Sequence, residues 1–409
     1  MQFSLKAKAG LAALAVVAAV GVGAWVYQQF VGLGATGMSN ITSWGLYIAL
    51  FMFFVGLSAG GLIVASSASV FKIEKFERVA IPAVICSMVC ICLAGMFILI
   101  DLGGIARVWR LLTSPNFTSP LMWDVCVITL YLTINVLDLV FLVKGNHRAV
   151  AVLSRIALPT AILVHSVTAW IFGLQIARTW YTAIMAPIFV ASACDSGLAL
   201  LLVSLALLEH FGIFTTGKKL FKSLAGLLAV FIAVDAFFIG CELLTMAYPG
   251  GEHAQALQHM LVGATSPFFW FEVIVGLAVP FALLVFDANR GRRGMVVTAS
   301  LLVIAGVLAK RIWLLFTAFI DPNVAGAPGV TLGTARAAAN GGSDMWALVG
   351  TYAPTLPELA IVAGVLAVGL IAYVVLAKLF VPQAQTPLAQ DDAETLPSAG
   401  SAAAPTPAV

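Results

Sequence analysis

Charge is scarce in this sequence. Only 10% of its 409 residues are Asp, Glu, Lys or Arg, whereas soluble domains carry about 25%. No polar stretch is long enough to enclose a core of its own, which excludes a soluble catalytic domain. The net charge of +3 is too small to point to nucleic acid. Cysteine motifs are missing as well. Cys86, Cys90, Cys92, Cys126, Cys194 and Cys241 all lie in apolar stretches, and none forms a C-x-x-C pair. They read as small hydrophobes of helix packing. The chain is therefore expected to hold no iron–sulfur cluster, whose cysteine ligands come at characteristic spacings. Histidine is short too. Of His147, His165, His210, His253 and His259, only His165 falls well inside an apolar run. The two imidazoles at matching depth that a buried haem b requires are absent, so no haem is expected.

What remains is apolar: 62% hydrophobic residues and a mean hydropathy of +1.06. About 20 apolar residues cross a bilayer as a helix. Ten stretches qualify, at roughly 9–31, 44–70, 80–101, 120–143, 155–177, 183–208, 221–246, 268–287, 295–319 and 357–381. The fold class expected is an all-α integral membrane protein in contact with the lipid bilayer. Fifteen of the 21 Lys and Arg fall on one side of these spans, and each loop there holds three. By the excess of basic residues in cytoplasmic loops, both termini are expected in the cytoplasm. Lys6 and Lys8 ahead of the first apolar run resemble a signal peptide. No A-x-A site follows, so the run reads as a retained helix. The Ala/Pro-rich tail, 383–409, is expected to be disordered.

Two segments repeat. "SPLMWDV" (119–125) opens the fourth span and "SPFFWFEV" (266–273) the eighth, placing Asp124 against Glu272. "FILIDL" (97–102) ends the third span and "FIGCEL" (238–243) the seventh, placing Asp101 against Glu242. Spans 2–5 and 6–9 thus read as two four-helix units, parallel because four spans separate the copies, with the other helices flanking them. The organisation expected is 1–40, a helix and outer loop; 41–180, the first bundle; 181–320, the second; 321–382, a loop and the last helix; then the tail.

Ionisable residues interrupt the spans. "APIFVASACDSGLALLL" (186–202) has Asp195 near its centre, where a carboxylate costs about 2.5–3.5 kcal/mol to insert. Ser192 and Ser196 share its helix face. Asp124, Tyr131 and Asp138, spaced i, i+7, i+14, share a face with Asn135 nearby; the stripe runs about 21 Å at 1.5 Å per residue. Asp235 and Glu242 share a face in the seventh span, His165 lies in the fifth, and Lys310 and Arg311 in the ninth. Two readings stand side by side. One is static pairing, for instance an Asp held by Ser hydroxyls or by Lys310. The other is a proton route or ligand pocket, the usual meaning of ionisable groups at membrane depth. The nine tryptophans all fall in the outer half or its loops. An anchoring belt occupies both interfaces, so a one-sided set suits a planar ligand or a docked partner.

The stretches "SWGLYIALFMFFVGLSAGG" (43–61), "WYTAIMAPIFVASACDSG" (180–197), "FWFEVIVGLAVP" (269–280) and "YAPTLPELAIVAGVLAVG" (352–369) resemble the NrfD/polysulfide reductase membrane-subunit family, over roughly residues 40–380. The resemblance implies a haem-free anchor in a bacterial inner (plasma) membrane that reacts with menaquinone or ubiquinone and has no complete activity alone. It also implies a four-cluster ferredoxin-like iron–sulfur subunit as partner, and through it a molybdopterin or multihaem catalytic subunit. Its quinone site, near the outer side of the first bundle, would involve Trp44 and Tyr47, with Asp101, Asp124 and His165 approaching from neighbouring spans. His165 or a carboxylate would take the quinol proton. Arg178 would hold a carboxylate or the partner. Tyr131, Asn135 and Asp138, and in the second bundle Asp195, Asp235, Glu242, Glu272 and Lys310, would form proton-carrying or structural networks. The rival reading is a secondary transporter built from a parallel repeat. It draws on the same repeat and midplane charges, but lacks a convincing pair of Gly/Pro-broken helices.

Overall fold

In the computed structural model, which describes residues 5–39, 41–71, 74–176, 178–320 and 351–381, each of the ten apolar runs is a helix. We number them α1 (Leu5–Val31), α2 (Leu46–Val70), α3 (Ala80–Asp101), α4 (Pro120–Val143), α5 (His147–Gly173), α6 (Met185–His210), α7 (Lys218–Ala247), α8 (Ser266–Val285), α9 (Arg293–Ile320) and α10 (Leu356–Phe380). The chain is a multi-pass membrane protein. The loop expected over 321–350 and the tail expected after 382 lie outside the described residues.

Local chemistry sets the helix ends. Proline occupies the first turn of α4, α8 and α10, where its missing N–H goes unneeded. Thr355 and Glu358 form a reciprocal capping box at the start of α10. The largest departure from expectation is α5, which starts at 147 rather than 155. Asn146 caps it by accepting from the Ala149 amide at 3.1 Å. His147 and Arg148 open it and Arg155 interrupts the apolar residues two turns later, so a search for uninterrupted apolar runs starts after them.

The helices form two rings. α2 packs on α3, α3 on α4, α4 on α5, and α5 returns to α2; α6, α7, α8 and α9 close a second ring in the same order. The rings meet mainly through their first helices, α2 and α6, and α2 is the hub: 94% of its apolar stretch is buried inside the protein. The α1 stretch is 6% buried; α1 pairs with α10, and α10 rests on α3. Lipid supplies little hydrophobic driving force between helices, so close packing at small residues holds such crossings. At the α2–α6 crossing a Cβ on Gly60 would lie 2.5 Å from the Gly197 Cα; only glycine admits that approach.

The described chain ends, Leu5 and Val381, lie on the same side. We call it the basic face, after its Lys and Arg excess, and the other side the distal face.

Candidate functional site

Polar side chains inside the protein fall into three groups. The first lies at the distal ends of α1, α2, α3 and α10. The Tyr47 hydroxyl donates to Gln28 Oε1 (2.7 Å), and Gln28 Nε2 donates to the Ile100 carbonyl (3.3 Å). Asp101 ends α3 half-buried, with one carboxylate oxygen lacking a hydrogen bond. Glu358, fully buried on α10, accepts from the Gly37 amide (2.9 Å) and the Tyr352 hydroxyl (2.6 Å). Tyr352, in the loop before α10, is held above the usual phenol range by burial first and the Glu358 hydrogen bond and charge next.

The second group fills the first ring. The α4 stripe faces inward over its whole length: Asp124, Tyr131, Asn135 and Asp138 are all at most 4% exposed. Thr168 of α5 donates to Asp124 (2.7 Å). Tyr131 ties three helices together, meeting the Ser87 hydroxyl (2.8 Å) and donating to the Ser58 carbonyl (2.9 Å). Asn135 donates to the Tyr131 carbonyl, while one oxygen of Asp138 has no partner. His165 faces two backbone carbonyls, Ala161 (2.6 Å) and Val55 (2.9 Å); a neutral ring can donate to only one of them.

The third group fills the second ring. Lys310 reaches both oxygens of Asp235 (2.9 and 3.2 Å) and Glu272 Oε1 (3.3 Å). The Trp313 indole donates to Glu272 Oε2 (2.5 Å). Arg311 lies 4.0 Å over the Phe189 ring and donates to Ser192 (2.6 Å), leaving Nε and one terminal nitrogen without partners. Asp195 is fully buried and neither oxygen takes a side-chain hydrogen bond. The serines beside it turn away: Ser196 donates to the Ser192 carbonyl and Ser192 to that of Phe189. Asp195, Asp235, Glu242 and Glu272 thus share a buried interior with Lys310 and Arg311. Four carboxylates against two cations make a neutral set only with two protons bound.

A one-residue insertion is absorbed in α8. The repeat aligns Trp123-Asp124 with Trp270-Phe271-Glu272, and residues Phe271–Ala278 wind as π-helix. The wider turn takes up the extra residue and keeps Glu272 buried inside its ring, as Asp124 is in the other.

The residues expected around one pocket are distributed among these groups. Tyr47 and Asp101 face α1 and α10. Asp124 and His165 sit deeper in the first ring. Trp44 belongs to an aromatic layer at the ring junction, 6.0 Å from Trp180 and 5.4 Å from Phe172. Arg178 lies beside that layer, 4.6 Å over Phe319 and donating to the Ala318 carbonyl; burial lowers its pKa from the usual guanidinium value. Gln28, Thr168 and Glu358 join these groups without having stood out in the sequence. The T-x-x-E spacing of Thr355 and Glu358 is a legible cap signal; Gln28 and Thr168 carry none.

A sequence model of the family described as polysulphide reductase, NrfD, matches residues 34–323. The chain is 38% identical over 394 residues to a provisionally named dimethyl sulfoxide reductase membrane subunit of Halobacterium salinarum, covering 90% of this chain and 89% of the relative. It is 29% identical to the Hdr-like menaquinol oxidoreductase integral membrane subunit of Archaeoglobus fulgidus, covering 90% and 91%. It is 27% identical to a selenate reductase subunit of Mesobacillus selenatarsenatis, covering 76% and 82%.

Proposed function

Because the chain belongs to the NrfD polysulphide reductase family, we propose that it is the membrane subunit of a respiratory oxidoreductase, exchanging electrons between the quinone pool and a partner iron–sulfur subunit. The partner in turn serves a molybdopterin or multihaem catalytic subunit. In this reading the distal face is the outer face of a prokaryotic plasma membrane and both termini are cytoplasmic. The names of the Halobacterium and Mesobacillus relatives support a reductase complex, and that of the Archaeoglobus relative supports a menaquinone-type substrate over ubiquinone. Exposed apolar side chains on distal loops, among them Trp109, Leu112, Phe117 and Tyr248, suit a docked partner.

The observation that carries the assignment is Asp101. It is a half-buried carboxylate with an unbonded oxygen at the distal end of α3, between Leu99 and Leu102, which are themselves exposed to lipid. Of the carboxylates in the three groups Asp101 alone is not fully enclosed, so a quinol arriving from the bilayer meets it before those of the ring interiors. Asp101 takes the quinol proton as general base, Tyr47 contributes a phenol beside it, and Trp44 and Arg178 border the head group from the ring junction. Asp124 and His165 receive the proton at greater depth, and Tyr131, Asn135 and Asp138 carry it along α4. Asp195, Asp235, Glu242, Glu272 and Lys310 form the proton-carrying set of the second ring.

The test is quinol oxidation by the assembled complex in native membranes. Asp101→Asn is expected to lower turnover by about 10²-fold or more, the scale of a lost general base, with the amount of complex unchanged. Turnover within about twofold of wild type for both Asp101→Asn and Tyr47→Phe overturns the assignment.

A further inference from the structure

The two rings differ in where their polar groups end. A pocket of about 110 Å³ opens on the distal face, lined among others by Tyr181, Glu242, Thr245, His253, Trp313 and Thr317. Two lining residues lead inward. Glu242 is 5% exposed and has a carboxylate oxygen with no hydrogen bond. Trp313 donates to Glu272, which meets Lys310, which meets Asp235, each step 3.3 Å or less.

Toward the basic face the second ring has an apolar groove between α7 and α8, lined among others by Ala229, Phe237, Leu284 and Arg290, and the buried hydroxyls of Ser204 and Ser300, but no chain of ionisable groups. No ionisable side chain lies on α6 between Asp195 and Glu209, on α7 between Lys222 and Asp235, on α8 and its exit between Glu272 and Asp287, or on α9 between Arg293 and Lys310. Leu198, Leu202, Leu205, Leu224, Leu228 and Val303 in this half are all 0% exposed. The seal on α6 alone is about 20 Å long at 1.5 Å per residue. The first ring does the opposite: its α4 stripe continues to Asp138, five residues from the basic-face end of the helix.

We infer that the four carboxylates of the second ring are a proton store open to the distal face alone, filled and emptied through the pocket at Glu242 and Trp313. A proton leaves water in the pocket for a carboxylate oxygen and returns the same way. Continuity to the basic face belongs to the first ring. The groups that face the store come from every element packed around it: Asp195 on α6, Asp235 and Glu242 on α7, Glu272 on α8, Lys310 and Arg311 on α9, with His165 on α5 within electrostatic reach of Arg311 and His253 at the mouth. The inference rests on the proposed proton-carrying role of this set and involves neither quinone nor partner.

The test uses the full chain in liposomes of known orientation, with pH stepped on one face while the other is buffered. Infrared difference spectra follow the carboxylic acid bands, assigned to the store by their loss in Glu242→Gln and Glu272→Gln. The assigned bands are expected to follow a distal-face step at least about tenfold faster than a basic-face step. Equal rates from the two faces, or no response to either, overturn the store. Because no electron carrier is present, this outcome is separate from that of the quinol assay.

Discussion

Lys310 shows what one residue can hold. It is the shared partner of Asp235 and Glu272 in a wholly buried site. Removing one member of a buried ion pair leaves the other uncompensated, at about 3–5 kcal/mol. Lys310→Ala is expected to lower the thermal unfolding temperature of the detergent-solubilised protein sharply, and Lys310→Ala with Asp235→Asn to recover part of that loss. If the single variant unfolds like wild type, the pair is not formed. Inward-facing charge is readable from sequence because a bilayer gives a charged group nowhere else to go. Which charges meet is not, because partners on different helices are set by ring geometry. Nothing in the local sequence pairs Lys310 with Glu272 or turns Ser196 away from Asp195.

Among the elements, α8 carries the most instructive irregularity. Its π-helical stretch exists to accommodate Phe271, so deleting that residue should return the segment to ordinary helix with its flanks in register. Deleting one residue from the regular middle of α9, such as Leu302, turns everything beyond it by about 100° around the axis and tears Lys310 from Asp235. Size-exclusion profiles of fluorescently tagged chains are expected to show the Phe271 deletion monodisperse and the Leu302 deletion aggregated; equal profiles refute the account of the π segment. Here sequence and structure meet closely. The one-residue offset between "WD" and "WFE" is visible in the repeat itself, as are the ten helices and the parallel copies. The start of α5 is hidden because Arg148 and Arg155 break its apolar run, and the α1–α10 pair because helix partners far apart in the chain leave no local trace.

In the whole molecule, two closed rings share one seam while a separate helix pair covers α3. That pair is stitched by Gly21 against Gly364, where an added Cβ would come within 2.5 Å of backbone, and by Glu358, which holds the amide of Gly37. Glu358→Ala leaves part-buried donors on Gly37, Tyr352 and Thr355 without their acceptor, at about 0.5–1.5 kcal/mol each. Chymotrypsin is expected to cut the 32–45 connection, at Leu33, Met38 or Trp44, faster in this variant while the ten spans stay inserted; an unchanged digestion pattern removes Glu358 from that role.

The clasp between α1 and α10 also bears on synthesis. The earliest of these helices to enter the bilayer waits in lipid through the making of eight others before the one that fits it leaves the ribosome. Gln28 and Tyr47 can bond to each other during that wait, but the wall behind Asp101 is raised last. A nascent chain halted before residue 356 therefore has the helices of both rings and still lacks the helix that closes over α1 and α3, so premature release yields a membrane protein that is inserted and assembled at its core but open beside Asp101.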